Sequence, residues 1–166
     1  SSVNDFFKNK FIDIDEKLYP NEFVIGSGYP QGSFLGISKG EHVKPLNNEI
    51  KGIVQVTPKG KEQEFALHAL LDPDIPLITL TGLAGSGKTF LALMAGLNSL
   101  YEKNHSRLII TRTIQPVGKD LGYLPGDMKE KMAPWLAPIF DNVRHAFNDV
   151  SYFEAMMHKG EIEIAP

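Results

Sequence analysis

The stretch that decides the fold covers residues 77–101 and reads LITLTGLAGSGKTFLALMAGLNSLY. Its first five residues, Leu77–Thr81, are rich in branched side chains and predict a β-strand. Residues 88–101 repeat apolar side chains at helical spacing and predict an α-helix. Between them, Gly82–Thr89 has the G-x-x-x-x-G-K-[ST] spacing of a phosphate-binding loop. A strand before the loop and a helix after it form the context that separates such a loop from a chance match.

The residue types in this loop match the chemistry of phosphate binding. Glycines at 82, 85 and 87 let successive backbone N–H groups face one anion, and the start of the following helix adds its positive dipole end. Lys88 is expected to reach the terminal phosphates and Thr89 to ligate Mg²⁺, which makes them the predicted catalytic residues. The alternative is a glycine-rich turn without a ligand. The predicted nucleotide contacts are Gly82, Leu83, Ala84, Gly85, Ser86, Gly87, Lys88, Thr89 and Phe90.

A glutamine upstream of the loop is a candidate for reading the base. Gln63 lies near the start of a predicted helix, Glu62–Leu71, which Asp72-Pro73-Asp74 ends. A glutamine amide can donate a hydrogen bond to the exposed edge of adenine and accept one from it at once, which would select ATP over GTP. The alternative is a solvated helix glutamine. The predicted ligands are therefore ATP or ADP with Mg²⁺, with Gln63 on the adenine side.

A second strand, residues 107–112 (RLIITR), is almost continuously apolar, as expected in a parallel sheet covered on both faces. Its last residue lies at the edge where open α/β sheets bind ligands, and a long glycine- and proline-containing segment follows. This segment is a candidate contact for phosphate or single-stranded nucleic acid, with Tyr123 as a stacking surface. The alternative is an ordered connection with solvated charges. The candidate contacts are Arg112, Gln115 and Lys119.

The remaining pattern divides the chain into two predicted domains. Residues 1–52 contain short apolar runs at 23–25 and 34–37 among glycines, which predicts a small β module that leans on its neighbour. Residues 53–166 alternate strand and helix, the pattern of an α/β domain with a parallel sheet. In this domain a helix is expected from Asp127 to about residue 148, interrupted by Pro134 and Pro138. A short helix from Ser151 and a strand at residues 162–164 follow.

Composition narrows the class of protein further. The 166 residues carry a formal net charge of −3, so the total shows no basic footprint for nucleic acid. The absence of cysteine excludes disulfides and cysteine-bound metals, and the five histidines show no ligand spacing. No apolar run approaches the ~20 residues of a membrane helix, and the first residues lack the regions of a signal peptide. We therefore expect a soluble, cytoplasmic protein without membrane partners.

With these residues in view, the chain resembles the PhoH-like family of P-loop ATPases. The resemblance rests on residues 72–89 (DPDIPLITLTGLAGSGKT), 108–132 (LIITRTIQPVGKDLGYLPGDMKEKM) and 134–142 (PWLAPIFDN). Residues 18–24 (LYPNEFV) are similar to the stretch that joins the two domains in members with a preceding PIN-type nuclease. The resemblance implies a RecA-like core related to superfamily-1 helicases, assembly into a homo-oligomeric ring, and ATP-driven action on RNA. It also implies that Gln63 is the adenine-reading residue.

One hallmark of the family is missing after the loop. The family continues into a strand that ends in the Asp-Glu pair of Walker B, whereas the candidate strand at residues 161–164 is followed by Ala165-Pro166. We therefore expect an incomplete parallel sheet and a fragment that binds ATP without hydrolysing it. The leading interpretation is the ATP-binding portion of an ATPase acting on RNA. The alternatives are a non-hydrolysing regulatory module, and a nucleic-acid-binding module that acts through the N-terminal β region.

Overall fold

The computed structural model describes most of the chain, which forms two compact units. We call them the N-terminal unit and the C-terminal unit. The described residues of the N-terminal unit are 3–28, 32–46 and 56–95, and those of the C-terminal unit are 96–111, 128–147 and 149–165. The predicted domain boundary after residue 52 stays a prediction.

The first part of the N-terminal unit is a helix followed by a four-stranded antiparallel sheet. The strand order is β1-β4-β3-β2, and β2 pairs with β3 from Phe23 opposite Ile37 to Gly28 opposite Gly32. The β structure predicted at residues 23–25 and 34–37 is therefore present. The helix and two further strands were not predicted. The elements are α1 (Val3–Asn9), β1 (Ile12–Asp13), β2 (Phe23–Gly28), β3 (Gly32–Ser38) and β4 (His42–Pro45).

Aromatic stacking forms the core of this sheet. The ring of Phe6 from α1 stacks on Phe34 from β3 with 3.9 Å between ring centroids. Gly26 makes room for Phe34, since a Cβ at residue 26 would lie 2.2 Å from Phe34 Cε1. Val43 is fully buried beside them. The module thus has its own small apolar core, and α1 supplies part of it.

Two helices that begin in the N-terminal unit lie where the sequence predicts them. α2 spans Lys61–Leu71 and ends at Asp72, whose backbone N–H reaches the carbonyls of His68 and Ala69. α3 spans Lys88–Tyr101. Its periodic apolar residues are mostly buried, as the pattern predicts. The buried hydrophobic residues of α3 are Leu91, Leu93, Met94, Ala95 and Leu97.

The strand predicted at Leu77–Thr81 is not formed. The structure assigns no regular secondary structure to residues 75–83, and the side chain of Leu77 is 80% exposed. A strand is stabilised by hydrogen bonds to a neighbouring strand, which a local pattern of branched residues cannot supply. Within the described residues, no ladder includes this segment. The expectation that a strand leads directly into the loop was therefore wrong for this structure.

The C-terminal unit contains a two-stranded parallel sheet and two helices. β5 (Leu108–Thr111) pairs with β6 (Ile162–Ala165), with Leu108 opposite Ile162. Gly96 of α3 approaches β5 so closely that a Cβ there would lie 2.8 Å from Leu108 Cδ1. The fold is thus α/β, and its parallel ladder is in the predicted place. Among the described residues this parallel sheet has two strands, so the predicted P-loop sheet is not confirmed.

The long helix of the C-terminal unit passes through its prolines. α4 spans Met128–Phe147 without a break, whereas Pro134 and Pro138 were expected to interrupt it. A proline removes one backbone hydrogen bond, but the buried side chains of Ile139 and Val143 continue to favour the helix beyond it. α5 spans Ser151–His158, as predicted. No helix within the described ranges combines the length and apolarity needed to cross a bilayer.

We predict that Gly36→Ala destabilises the N-terminal sheet. A Cβ at residue 36 would lie 2.4 Å from Val43 Cγ1 and 2.9 Å from the carbonyl oxygen of Lys44, which belongs to the backbone of the paired strand. Overpacking of this kind costs about 1–3 kcal/mol. The measurement is the free energy of unfolding in urea, with exposed Ser27→Ala on the neighbouring strand as control. Equal stability of Gly36→Ala and wild type would contradict this packing.

Candidate functional site

The backbone of the candidate loop turns at its glycines. Gly82, Gly85 and Gly87 have φ angles of 151°, 78° and 90°. These angles lie in the region that side chains with a Cβ rarely adopt, so the loop conformation depends on glycine at all three positions. A hydrogen bond of 3.3 Å from the Ser86 N–H to the Leu83 carbonyl closes the turn between them. The glycine spacing noted in the sequence therefore produces a compact turn.

The ammonium group of Lys88 lies inside this turn. Its Nζ donates to the carbonyl oxygens of Leu83 at 2.7 Å and Gly82 at 2.9 Å, and to the Ser86 hydroxyl at 3.3 Å. An ammonium has three N–H donors, and these three neutral oxygens match that number. The lysine thus joins the start of the loop to its end. It places a positive charge among the oxygens of Gly82, Leu83 and Ser86.

The start of α3 adds to the positive character of the site. The first turn of this helix contains no acidic residue, so no carboxylate of its own offsets the positive end of its dipole. The helix begins directly at Lys88, and the Leu91 N–H donates to the Gly87 carbonyl at 2.9 Å. Thr89 is exposed at this end, and Phe90 is half-buried. An anion at this position would meet both the helix end and the ammonium.

Gln63 of α2 contacts the loop directly. Its side-chain Nε2 donates to the Ser86 carbonyl at 3.0 Å, and its Oε1 accepts a 2.8 Å hydrogen bond from the Lys59 N–H. A Cβ on Gly87 would lie 3.1 Å from the same Nε2. Because an amide has two donor hydrogens and two acceptor lone pairs, these contacts use half of its capacity. The remaining half is one donor and one acceptor, the pair that an adenine edge requires.

The other predicted contacts fall outside this description. Arg112, Gln115 and Lys119, and Tyr123 with them, lie outside the described residues. Their role at phosphate or nucleic acid therefore stays a prediction. The structure brings together Gln63 and residues 82–90, all of which belong to the N-terminal unit.

Sequence reasoning missed the contacts that hold α2. Lys39, which follows β3, donates to the Asp72 carboxylate at 3.0 Å, and the Asp74 N–H donates to the same carboxylate. Burial raises the pKa of Asp72, but these two hydrogen bonds together with the charges of Lys39 and His68 hold the pKa below its usual value. No local signal could have revealed the partner, because Lys39 and Asp72 are far apart in the chain. The Asp72-Pro73-Asp74 stretch was recognised only as a helix end.

Known proteins resemble this chain in sequence. The family model described as PhoH-like protein matches residues 55–166. Protein PhoH2 of Bacillus subtilis is 43% identical over 152 residues, which is 89% of this chain and 33% of that protein. Protein PhoH2 of Thermobispora bispora is 33% identical over 82% of this chain and 31% of its own length. A PhoH-like protein of Bacillus subtilis is 41% identical over 51% of this chain and 26% of its own length. No solved structure matches the chain.

The family match covers α2, the candidate loop, α3 and the rest of the given chain, and this match defines the class of protein. The chain belongs to the PhoH-like protein family. The predicted resemblance is therefore confirmed. The chain spans about a third of the length of the PhoH2 relatives it matches, so the activity of a whole PhoH2-like protein is a matter for proposal.

Proposed function

We propose that this chain binds ATP or ADP with Mg²⁺ through Gly82–Thr89 and forms part of a PhoH-type ATPase. The observation that carries the proposal is the Lys88 ammonium, held inside a turn of three glycines with positive φ at the start of α3. A lysine there, next to a helix start without acidic residues, favours a multiply charged anion over a neutral ligand. The family match supports the same ligand class.

The geometry also indicates how phosphate would enter. The three hydrogen bonds of Lys88 go to neutral oxygens, and the bond to the Ser86 hydroxyl is the longest at 3.3 Å. A phosphate oxygen forms a stronger, charge-assisted bond, so exchange of this longest contact for phosphate is favourable. Thr89 follows in the first turn and is exposed, which suits a hydroxyl that ligates Mg²⁺ between the phosphates. Gln63 would form hydrogen bonds with the edge of the adenine base.

For the intact protein, the proposal extends by family resemblance. We propose a cytoplasmic protein that couples ATP hydrolysis to unwinding or processing of single-stranded RNA and assembles into a homo-oligomeric ring. A ring suits P-loop hydrolysis because a neighbouring subunit can supply the cation that stabilises the transition state. Arg112, Gln115 and Lys119 are the candidates for contact with RNA or phosphate.

We predict that Lys88→Ala weakens Mg²⁺-dependent binding of ADP and ATP by about 10- to 150-fold. A lost charge-assisted hydrogen bond is worth about 1.5–3 kcal/mol, which corresponds to that range. The measurement is titration calorimetry with and without Mg²⁺, and the control is Lys159→Ala, an exposed lysine of the C-terminal unit. Unchanged affinity in a folded Lys88→Ala chain would contradict the proposed site.

A second prediction concerns the base. Gln63→Ala removes the proposed adenine contact and also the bond to the Ser86 carbonyl, so its effect has two parts. We expect the loss of the loop contact to weaken the binding of ATP and GTP alike. The loss of the adenine contact should weaken ATP binding by a further factor of about five to 150. The quantity to measure is the ratio of ATP and GTP dissociation constants. An unchanged ratio would show that Gln63 serves the loop and does not read adenine.

A third prediction concerns turnover. The loop contacts bind substrate and transition state about equally, whereas rate acceleration needs groups that act as the phosphoryl group departs. The Asp-Glu pair of Walker B is such a group, and the sequence shows no such pair at the end of the candidate strand at residues 161–164. We therefore expect residues 1–166 to bind ATP without detectable steady phosphate release. A polypeptide that continues through an Asp-Glu strand after Pro166 should hydrolyse ATP, and replacing that glutamate should abolish the activity. If residues 1–166 release phosphate steadily and Lys88→Ala abolishes this release, the prediction is wrong. Asp120, Asp127, Glu161 or another acid of this chain would then take the role of the missing Asp-Glu pair.

A further inference from the structure

Three contacts join α2 and its C-terminal cap to the N-terminal sheet. The ring of Phe23 from β2 stacks on Phe65 of α2, with 4.5 Å between centroids and 17° between planes. The same ring meets the His68 imidazole nearly edge-on at 6.4 Å and 81°. At the end of the helix, Lys39 forms its 3.0 Å ion pair with Asp72. The sheet therefore holds α2 both in its middle and at its C-terminal cap.

The ion pair at the cap is held more firmly than an ordinary surface pair. The Asp72 side chain is only 12% exposed, which limits screening by water. The Lys39 ammonium also donates to the Asn21 side-chain oxygen at 3.2 Å, and the Asn21 N–H donates to the Ser38 carbonyl at 2.8 Å. Because the cation is fixed from the sheet side, little side-chain freedom remains to be lost in forming the pair.

The opposite end of α2 contacts the phosphate-binding loop. Gln63 lies in the first turn of the helix and donates to the Ser86 carbonyl, while Phe65 and His68 follow on the part that faces Phe23. An 11-residue helix is a rigid element about 16 Å long. A helix held at its middle and its end against the sheet therefore presents Gln63 to the loop in a fixed position.

We infer that the N-terminal sheet positions the phosphate-binding loop through α2, with Phe23 and Lys39 as the positioning residues. A loop that contains three glycines has much conformational freedom to lose when it closes on phosphate. Contacts that order the loop beforehand remove part of that cost from binding. The inference rests on the proposed function for its effect on affinity, whereas its effect on loop order is independent of any ligand.

The first experiment measures loop order without nucleotide. Hydrogen exchange of the amides of residues 82–90 is followed in wild type, Phe23→Ala and Lys39→Ala. We expect both variants to exchange about two- to tenfold faster, the range that one aromatic or ionic contact carries. Phe23→Tyr and Lys39→Arg should restore slow exchange. Val43→Ala is the matched control, because it weakens the sheet core without removing a described contact to α2.

The second experiment tests the route through Gln63. ADP affinity is measured for Lys39→Ala, Gln63→Ala and the double variant. If the sheet acts through Gln63, Lys39→Ala weakens ADP binding about two- to tenfold when Gln63 is present. The same substitution has a clearly smaller effect on ADP binding in the Gln63→Ala background. Full additivity of the two substitutions would overturn the proposed route.

The outcomes separate this inference from the proposed function. Faster loop exchange in both variants, with normal exchange in Val43→Ala, supports positioning by the sheet. Unchanged loop exchange in Lys39→Ala, which replaces a partly exposed side chain and should fold, overturns it even where Phe23→Ala fails to fold. Equal acceleration by Val43→Ala also overturns it, because general loosening would then suffice. If wild type binds no ADP, the proposed function fails, and the exchange experiment still decides the inference.

Discussion

The hydrogen bond from the Gln63 amide to the Ser86 carbonyl joins the two parts of the N-terminal unit on which the proposed function rests. On one side of it is the phosphate-binding loop, whose shape depends on three glycines and on the Lys88 ammonium. On the other side is α2, which the sheet holds by aromatic stacking and an ion pair. Loss of this contact would remove the hydrogen bond between α2 and the loop, while α3 would still hold the end of the loop through its buried residues Leu91, Met94 and Ala95.

The parts of the structure that local physics determines were predictable from the sequence. The apolar period of residues 88–101 gave the bounds of α3, and the spacing of glycine and lysine indicated the turn around Lys88. The prediction of a strand at Leu77–Thr81 was wrong because strand pairing depends on a partner elsewhere in the chain. The contact between Lys39 and Asp72 was invisible for the same reason, since nothing near either residue indicates the other. Long-range pairing is therefore the main limit on what the sequence predicted.

The candidate site shows the same division. Gln63 was a candidate because of its spacing from the loop in the sequence, but its hydrogen bond to the Ser86 carbonyl could be found only in the structure. That bond changes what a substitution at Gln63 means, because one side chain would serve both the loop and adenine. A glutamine fixed by two hydrogen bonds is preorganised, so it loses less entropy on binding a base than a mobile one would. The adenine role and the alternative of a solvated helix glutamine both stay predictions.

Backbone amide NMR of residues 1–166 during titration with ADP and Mg²⁺ is the most direct test of the central claim. The N–H groups of residues 83–89 lie in the turn around Lys88 and at the start of α3, where the phosphates are proposed to bind. We expect the largest and saturable resonance shifts in this segment, and smaller shifts when Mg²⁺ is omitted. Saturable shifts confined to other segments, or none at millimolar ADP with a folded spectrum, would contradict nucleotide binding at this loop.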